Sequence, residues 1–247
     1  MSIESLGGLF GLSNRAVPER LRTWLLRLGA ESCPRCGFES NDGFCDDCRR
    51  EFPRIASPCE RCGLPLRCDP CPALAPDWHI VRVRAPFVYG PPLARYIQEL
   101  KYGRKRHLAR PLGRLVANEL ETAGFDIDAL AAVPLHSRRL RARTFDQAAE
   151  IAAAIARAVG RPLCGSRIRR TLDTRPQTEL DRRERMRGPL RAFRVDGSMA
   201  GMRIAIVDDV ITTGATVNAL GSALKAAGAI HVEAWAVARS VGTRRVG

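Results

Sequence analysis

No stretch of this chain approaches the roughly 18 consecutive apolar residues that a membrane helix needs, which excludes insertion of a helix into a bilayer from the readings to be weighed. The opening residues, MSIESLGGLFGLSNRAVPER, lack a basic start followed by an apolar core. No secretory leader is read there, and the expected location is the cytoplasm. Neither GxxxxGK[ST] nor GxGxxG occurs, which removes the P-loop and the dinucleotide fingerprint. Acidic charge is scarce: 26 Asp and Glu face 40 Lys and Arg, for a net charge of +14 and an isoelectric point near 10.2. That deficit fits polyanionic partners such as nucleic acid, nucleotides or pyrophosphate. An arginine-rich coding bias explains the same count with no partner, and composition alone does not choose between them. What is present is a globular composition, 45% hydrophobic and 27% charged over 247 residues. It is long enough for one substantial domain plus a small appendage.

Cysteine is abundant and its spacing is regular. Eight of the nine cysteines form four CxxC pairs: Cys33/Cys36, Cys45/Cys48, Cys59/Cys62 and Cys68/Cys71. A CxxC turn presents two thiolates at once, and tetrahedral zinc takes four. In a cytosolic chain this pattern points to zinc rather than to disulfides. The simplest pairing is two four-cysteine ribbons, the first four cysteines and then the last four; an interleaved pairing, or one metal only, satisfies the spacing equally. Four thiolates leave no open position on the ion, so the expected role is structural. The segment has too few apolar residues for a core of its own, so metal binding is expected to drive its folding.

The rest divides by pattern. Leu21, Trp24, Leu25 and Leu28 recur at helical spacing, which predicts an N-terminal helical segment within residues 1–30 that packs onto the adjoining domain. The ribbons occupy 31–75, residues 72–78 read as a linker, and a larger domain runs over 79–240. There, Val81, Val83 and Ala85 alternate with arginines as in a half-buried strand, and Leu93–Leu100 and Leu108–Glu121 read as helices. Lys101–Arg106 is a basic turn that suits either solvent or phosphate. Ala129–Val133 is a short apolar strand before an arginine-rich loop and an alanine-rich helix, Phe145–Val159. Residues 166–194 are too charged to be buried, and His231–Ala238 reads as the final strand of the sheet.

The chain is organised around Met202–Thr216, MRIAIVDDVITTGAT. Ile204–Val207 has the apolar, branched character of a strand buried on both faces of a parallel sheet. Asp208 and Asp209 come next, then Thr212, Thr213, Gly214 and Thr216, and then a helical segment to Ala227. Open α/β sheets bind ligands at such carboxyl ends of strands. The turn offers backbone N–H groups, hydroxyls and the positive end of a helix dipole to a phosphate. The paired carboxylates suit sugar hydroxyls, or a metal held through water. Together they match the demands of a ribose 5-phosphate.

IVDDVITTGAT resembles the phosphoribosyl-pyrophosphate (PRPP) loop of type I phosphoribosyltransferases. With the four CxxC knuckles, CGLPL, LKYGRKRH, VPLHSRRLRARTFDQA and TRPQTEL in this order, the chain resembles the ComF family over about residues 20–240. That family is competence-associated and joins a double zinc ribbon to a phosphoribosyltransferase domain. The resemblance implies an α/β fold, a type I phosphoribosyltransferase-like parallel sheet flanked by helices, with a small N-terminal zinc-ribbon domain. It implies that PRPP is bound along Val207, Asp208, Asp209, Val210, Ile211, Thr212, Thr213, Gly214, Ala215 and Thr216. Asp208 and Asp209 would hold the ribose hydroxyls, the threonines and Gly214 the 5-phosphate, and Mg2+ would come with the pyrophosphate. It also implies a pyrophosphate loop with Leu135, His136, Arg138 and Arg143, and a closing loop with Thr174, Gln177 and Arg185. Family members often read RGFNQA where this chain has Arg143-Thr-Phe-Asp-Gln-Ala148. Thr212 stands where 6-oxopurine enzymes of this fold carry an acid, which argues against such an acceptor. The implied activity is phosphoribosyl transfer to an acceptor that the sequence does not identify, with a role in DNA uptake and a competence helicase as candidate partner. The rival reading is a non-catalytic protein that binds single-stranded DNA along a basic groove and keeps the fold as a binding or regulatory module.

Overall fold

The computed structural model describes residues 32–41, 43–65, 68–135, 145–171 and 192–241. The N-terminal helix expected within 1–30 lies outside them.

The longest strands are β6 (Arg203–Ile211) and β7 (His231–Arg239), paired in parallel at the centre of a five-stranded sheet. β3 (Ala129–Ala132) lies on the far side of β6. β1 (Arg82–Arg84) and β2 (Phe87–Val88) share the outer edge of β7. Every pairing in this sheet is parallel, as the apolar character of β6 and β7 predicts for strands covered on both faces. The helices α1 (Asp46–Arg50), α2 (Leu93–Tyr102), α3 (Ala109–Ala123), α4 (Gln147–Val159) and α5 (Ala215–Ala226) complete the main layers. The period-2 geometry of β6 sorts its side chains. Ala205 and Val207 pack with α2, α3 and α4, whereas Ile204 and Ile206 pack with α5.

Two features depart from the sequence reading. β6 does not stop at Val207 but runs four residues further, because Val210 and Ile211 continue the ladder opposite Ala238 and Arg239. Both acids are therefore strand residues, and the turn begins at Thr212. Within 166–194, β4 (Ile168–Arg170) and β5 (Phe193–Val195) form an antiparallel ribbon. Its inward residues Ile168 and Phe193 are buried with α5, while arginines occupy most of the remaining positions and mask the strand signal.

The cysteine segment is not a separate body beside this core. Phe44 and Phe52 are buried against Tyr96 of α2 and Phe87 of β2, with ring centroids 5.0–6.2 Å apart in edge-to-face geometry. Gly43, with φ +86°, lets the backbone approach so closely that a Cβ would stand 2.6 Å from Pro111 Cα of α3. Cys33 and Cys48 belong to the same apolar cluster. A short cysteine-rich segment thus gains its apolar burial from the larger domain.

Candidate functional site

The eight paired cysteines gather as two sets, Cys33, Cys36, Cys45, Cys48 and Cys59, Cys62, Cys68, Cys71, with all thiol sulfurs of a set within 4.8 Å of one another. The sequential pairing is therefore the one formed. Each set opens on the same knuckle: Gly37 donates to the Cys33 carbonyl as Gly63 does to that of Cys59. Four sulfurs about 2.3 Å from a tetrahedral ion stand roughly 3.8 Å apart. Cys36–Cys45 and Cys62–Cys68 are 3.6 and 3.4 Å apart, so both sets fit a zinc ion. Burial raises the Cys33 thiol, but backbone N–H donors from Cys36, Cys45 and Arg35 outweigh it and bring its pKa down to about 6, which favours the thiolate that a metal takes.

At the carboxyl end of β6, Asp209 continues the side that Ala205 and Val207 bury. There its Oδ1 meets Lys101 Nζ, from the last turn of α2, at 2.7 Å. Asp209 is 3% exposed, and its Oδ2 has no partner among the described residues. Asp208, half-buried, accepts the Asp209 N–H at 2.9 Å. Burial first, and then the Asp209 charge, push its pKa up to about 8; Lys101 acts the other way and Asp146 adds to the rise. Asp146 accepts from Ala149 N at the start of α4 (3.1 Å) and from Leu135 N (2.9 Å). An asparagine here has only one accepting oxygen; the aspartate uses both, and so ties the first residue of the arginine-rich loop to the helix. Burial raises the Asp146 carboxyl, and the Asp209 charge contributes. Among the described residues, the carboxylates of Asp208, Asp209 and Asp146 thus interact with one another, and Lys101 offsets the first two.

The turn comes directly after. Thr212 and Thr213 are exposed, and Thr213 Oγ1 accepts from Ala215 N at 3.3 Å. Gly214 precedes α5 with φ +87°. A Cβ there would strike the Trp78 indole at 2.7 Å, so the linker tryptophan lies directly against the turn. Asn218 of α5 fixes that linker, accepting from His79 N and donating to the Asp77 carbonyl. Leu135 stands within reach of this group through Asp146. His136, Arg138, Arg143, Thr174, Gln177 and Arg185 lie outside the described residues.

Sequence reasoning missed the roles of Lys101, Asp146, Trp78 and Asn218. Two of these left a signal. Lys101 falls four residues after Ile97, on the face that buries Leu93 and Ile97, where a charge calls for a partner. Asp146 occupies the N-cap position of a strong helix. Asn218 bonds Asp77 and His79, either side of Trp78, across 141 and 139 residues of chain, and no local pattern predicts that.

Comparison with known proteins identifies the family. A family model described as Phosphoribosyl transferase domain matches residues 144–245. DNA utilization protein YhgH of Salmonella typhimurium is 33% identical over 212 residues, covering 82% of this chain and 92% of that protein. Competence protein F of Haemophilus influenzae is 27% identical over 214 residues, covering 81% and 92%. The chain belongs to the ComF family. Its fold is therefore that of a ComF protein: a type I phosphoribosyltransferase-like sheet with an N-terminal cysteine segment compatible with zinc ribbons. A solved PRPP amidotransferase from B. subtilis is also similar, 22% identical with a TM-score of 0.39, over 52% of this chain and 26% of that one. Among the described residues no helix is long and apolar enough to cross a membrane.

Proposed function

We propose that this ComF protein binds PRPP with Mg2+ at the carboxyl end of β6 and transfers the phosphoribosyl group to an acceptor, in a role connected with DNA uptake. The observation that carries the reading is the junction itself: two adjacent acids near the carboxyl end of a central parallel strand, followed after two residues by a threonine–glycine turn into α5. The turn supports the 5-phosphate, since backbone N–H groups and hydroxyls at a helix start favour an anion. Asp208 and Asp209 support the ribose diol. Among the described residues the carboxylates outnumber Lys101 and one Asp209 oxygen has no partner, which suits a hydrated divalent ion arriving with the ligand. Mg2+, when bound, offsets charge on the departing pyrophosphate. The bond from the anomeric carbon to pyrophosphate breaks as the acceptor's lone pair adds, and the chain's own part is to orient the ring and exclude water. The names of the relatives, DNA utilization protein and competence protein, support the cellular role.

The rival reading, single-stranded DNA held by a basic surface, draws on the net charge of +14. One open cleft of about 630 Å3 is lined by Lys105, Arg106, His107, Arg110 and Arg157. Lys105 pairs there with Glu99, and Arg106 with Glu150. The cleft is thus less positive than its cation count suggests, and the PRPP reading stands ahead. Calorimetry with PRPP and Mg2+ on zinc-loaded protein tests it, with Asp208→Asn/Asp209→Asn as comparison. Binding that the double variant loses supports it, and no binding by the folded wild type refutes it. Pyrophosphate release across a panel of bases and amines then identifies the acceptor. Binding of single-stranded DNA that weakens steeply with salt would favour the rival.

A further inference from the structure

Arg239 closes β7 and is fully buried. A buried arginine at the end of a strand whose other charged groups, His231 and Glu233, lie at its far end calls for explanation, because an unpaired buried charge costs several kcal/mol. Among the described residues, its hydrogen bonds go to carbonyl oxygens, and no carboxylate is within ion-pair distance. Nε donates to the carbonyl of Cys62 at 3.0 Å; Nη1 donates to the carbonyl of Ile211 at 2.9 Å and to that of Thr212. One guanidinium therefore bridges the second cysteine set to the residues that lead from β6 into the Thr212–Thr216 turn. The same set reaches the turn by another route. Cys71 leads into the linker whose Trp78 lies on Gly214, and Asn218 holds that linker in place. Four thiolates around a zinc ion carry a net charge of about −2. The metal-loaded set is thus a counter-charge for a cation that lacks a carboxylate.

We infer that the second cysteine set, through Arg239, holds the 211–216 turn in its ligand-binding shape, so that metal at Cys59, Cys62, Cys68 and Cys71 controls occupancy of the turn. Arg239 is a positioning residue: it touches no ligand and acts through the backbone of Ile211 and Thr212. The inference rests on the PRPP reading for the identity of the ligand, but its mechanical part does not need one.

Hydrogen exchange on full-length, zinc-loaded protein tests that mechanical part. In Arg239→Lys the charge remains, but one ammonium cannot span three carbonyls as a planar fork does. Exchange across 211–216 should rise about tenfold, while peptides of α2 and α3 keep wild-type protection. Should that variant fail to fold, graded chelation of the wild type replaces it. Loop exchange must then rise in step with alkylation of Cys59–Cys71 rather than of Cys33–Cys48, each read by mass spectrometry. Loop exchange indifferent to both perturbations overturns the inference. Linkage supplies a second readout. If metal in this set tightens PRPP binding by some factor, then PRPP with Mg2+ must tighten metal binding at Cys59–Cys71 by the same factor, read by competition with a graded chelator, and must do so less in Arg239→Lys. Failure of PRPP to bind the wild type would sink the proposed function and leave the exchange result to decide the coupling.

Discussion

Asp208 is the position where function and stability should be most clearly opposed. Its carboxyl is raised from an ordinary 3.8 to about 8, by burial first and the Asp209 charge second. The native state therefore holds a proton there that the unfolded chain releases above about pH 4. Between that point and pH 8 the native state binds more protons, so this group's contribution to stability falls as pH rises, and it levels off above pH 8. A shift of about four units corresponds to about 6 kcal/mol at 1.36 kcal/mol per unit. Asp208 is only half-buried and lies near Lys101, so solvent and that lysine relieve a large share when the carboxylate forms. We expect about 2–3 kcal/mol to be recovered by Asp208→Asn at pH 8, less than half of it at pH 6, and nearly complete loss of PRPP binding.

The assay is urea unfolding of zinc-loaded wild type and Asp208→Asn at half-unit steps from pH 6 to 8.5, reported as the difference between the two proteins. The difference removes pH effects common to both, including any loosening of the thiolate–zinc bonds at the acid end. The variant should gain on the wild type steadily up to pH 8 and no further. An equal or lower stability of Asp208→Asn at pH 8, or a gap that stays constant with pH, would refute the account of the carboxylate cluster. Ligand binding gives a cross-check. PRPP that engages Asp208 as a carboxylate must expel its proton, so the calorimetric enthalpy at pH 7 should vary with the ionisation enthalpy of the buffer.

Lys101→Met leaves Asp209 buried without its partner and should cost about 3 kcal/mol in urea unfolding; adding Asp209→Asn should restore at least half of this, and a loss under about 0.5 kcal/mol would show the pair to be unimportant. Gly214→Ala forces a side chain into a left-handed turn and against Trp78; about 2 kcal/mol of destabilisation and weaker PRPP binding are expected, with a shift in tryptophan emission as the local readout. Chelation of the fully loaded protein should lower its melting temperature by more than 5 °C or so, because Phe44 and Phe52 leave the core when the first cysteine set opens; an unchanged melting curve after metal loss would contradict the shared core.

Local patterns made the sheet and its helices legible. β6 announces itself as a branched apolar run and β7 as the final strand, α2 and α3 as apolar stripes, and the cysteine sets by spacing alone. The acid pair and the threonine turn were legible because they lie contiguously at one strand-to-helix junction. The features that escaped depend on pairs distant in the chain. Lys101 reads as part of a basic turn until α2 is laid across the sheet and its last turn reaches Asp209. β4 and β5 are two short segments more than twenty residues apart, and arginine occupies the positions that would have shown an apolar alternation. Trp78 reads as linker because the helix that anchors it, through Asn218, lies far downstream.

The placement of cations explains how such a site can exist within a chain so rich in arginine. Many of the paired arginines sit at the surface, such as Arg54 on Glu119 or Arg95 on Glu99, where such pairs contribute little to stability. Lys101 and Arg239 are drawn inside, and they have different chemistry. Lys101 presents a compact charge at the end of a flexible stem, so it can neutralise Asp209 and still yield when a ligand's own charges arrive. Arg239 presents a rigid fork to carbonyls and cannot lose its proton, so it fixes backbone rather than responding to ligand. Exchanging the two types should therefore fail in opposite ways. Lys101→Arg would preserve the fold but lock Asp209 in a planar two-point pair and weaken PRPP binding. Arg239→Lys would keep the carboxylates as they are but release the backbone that carries the threonines.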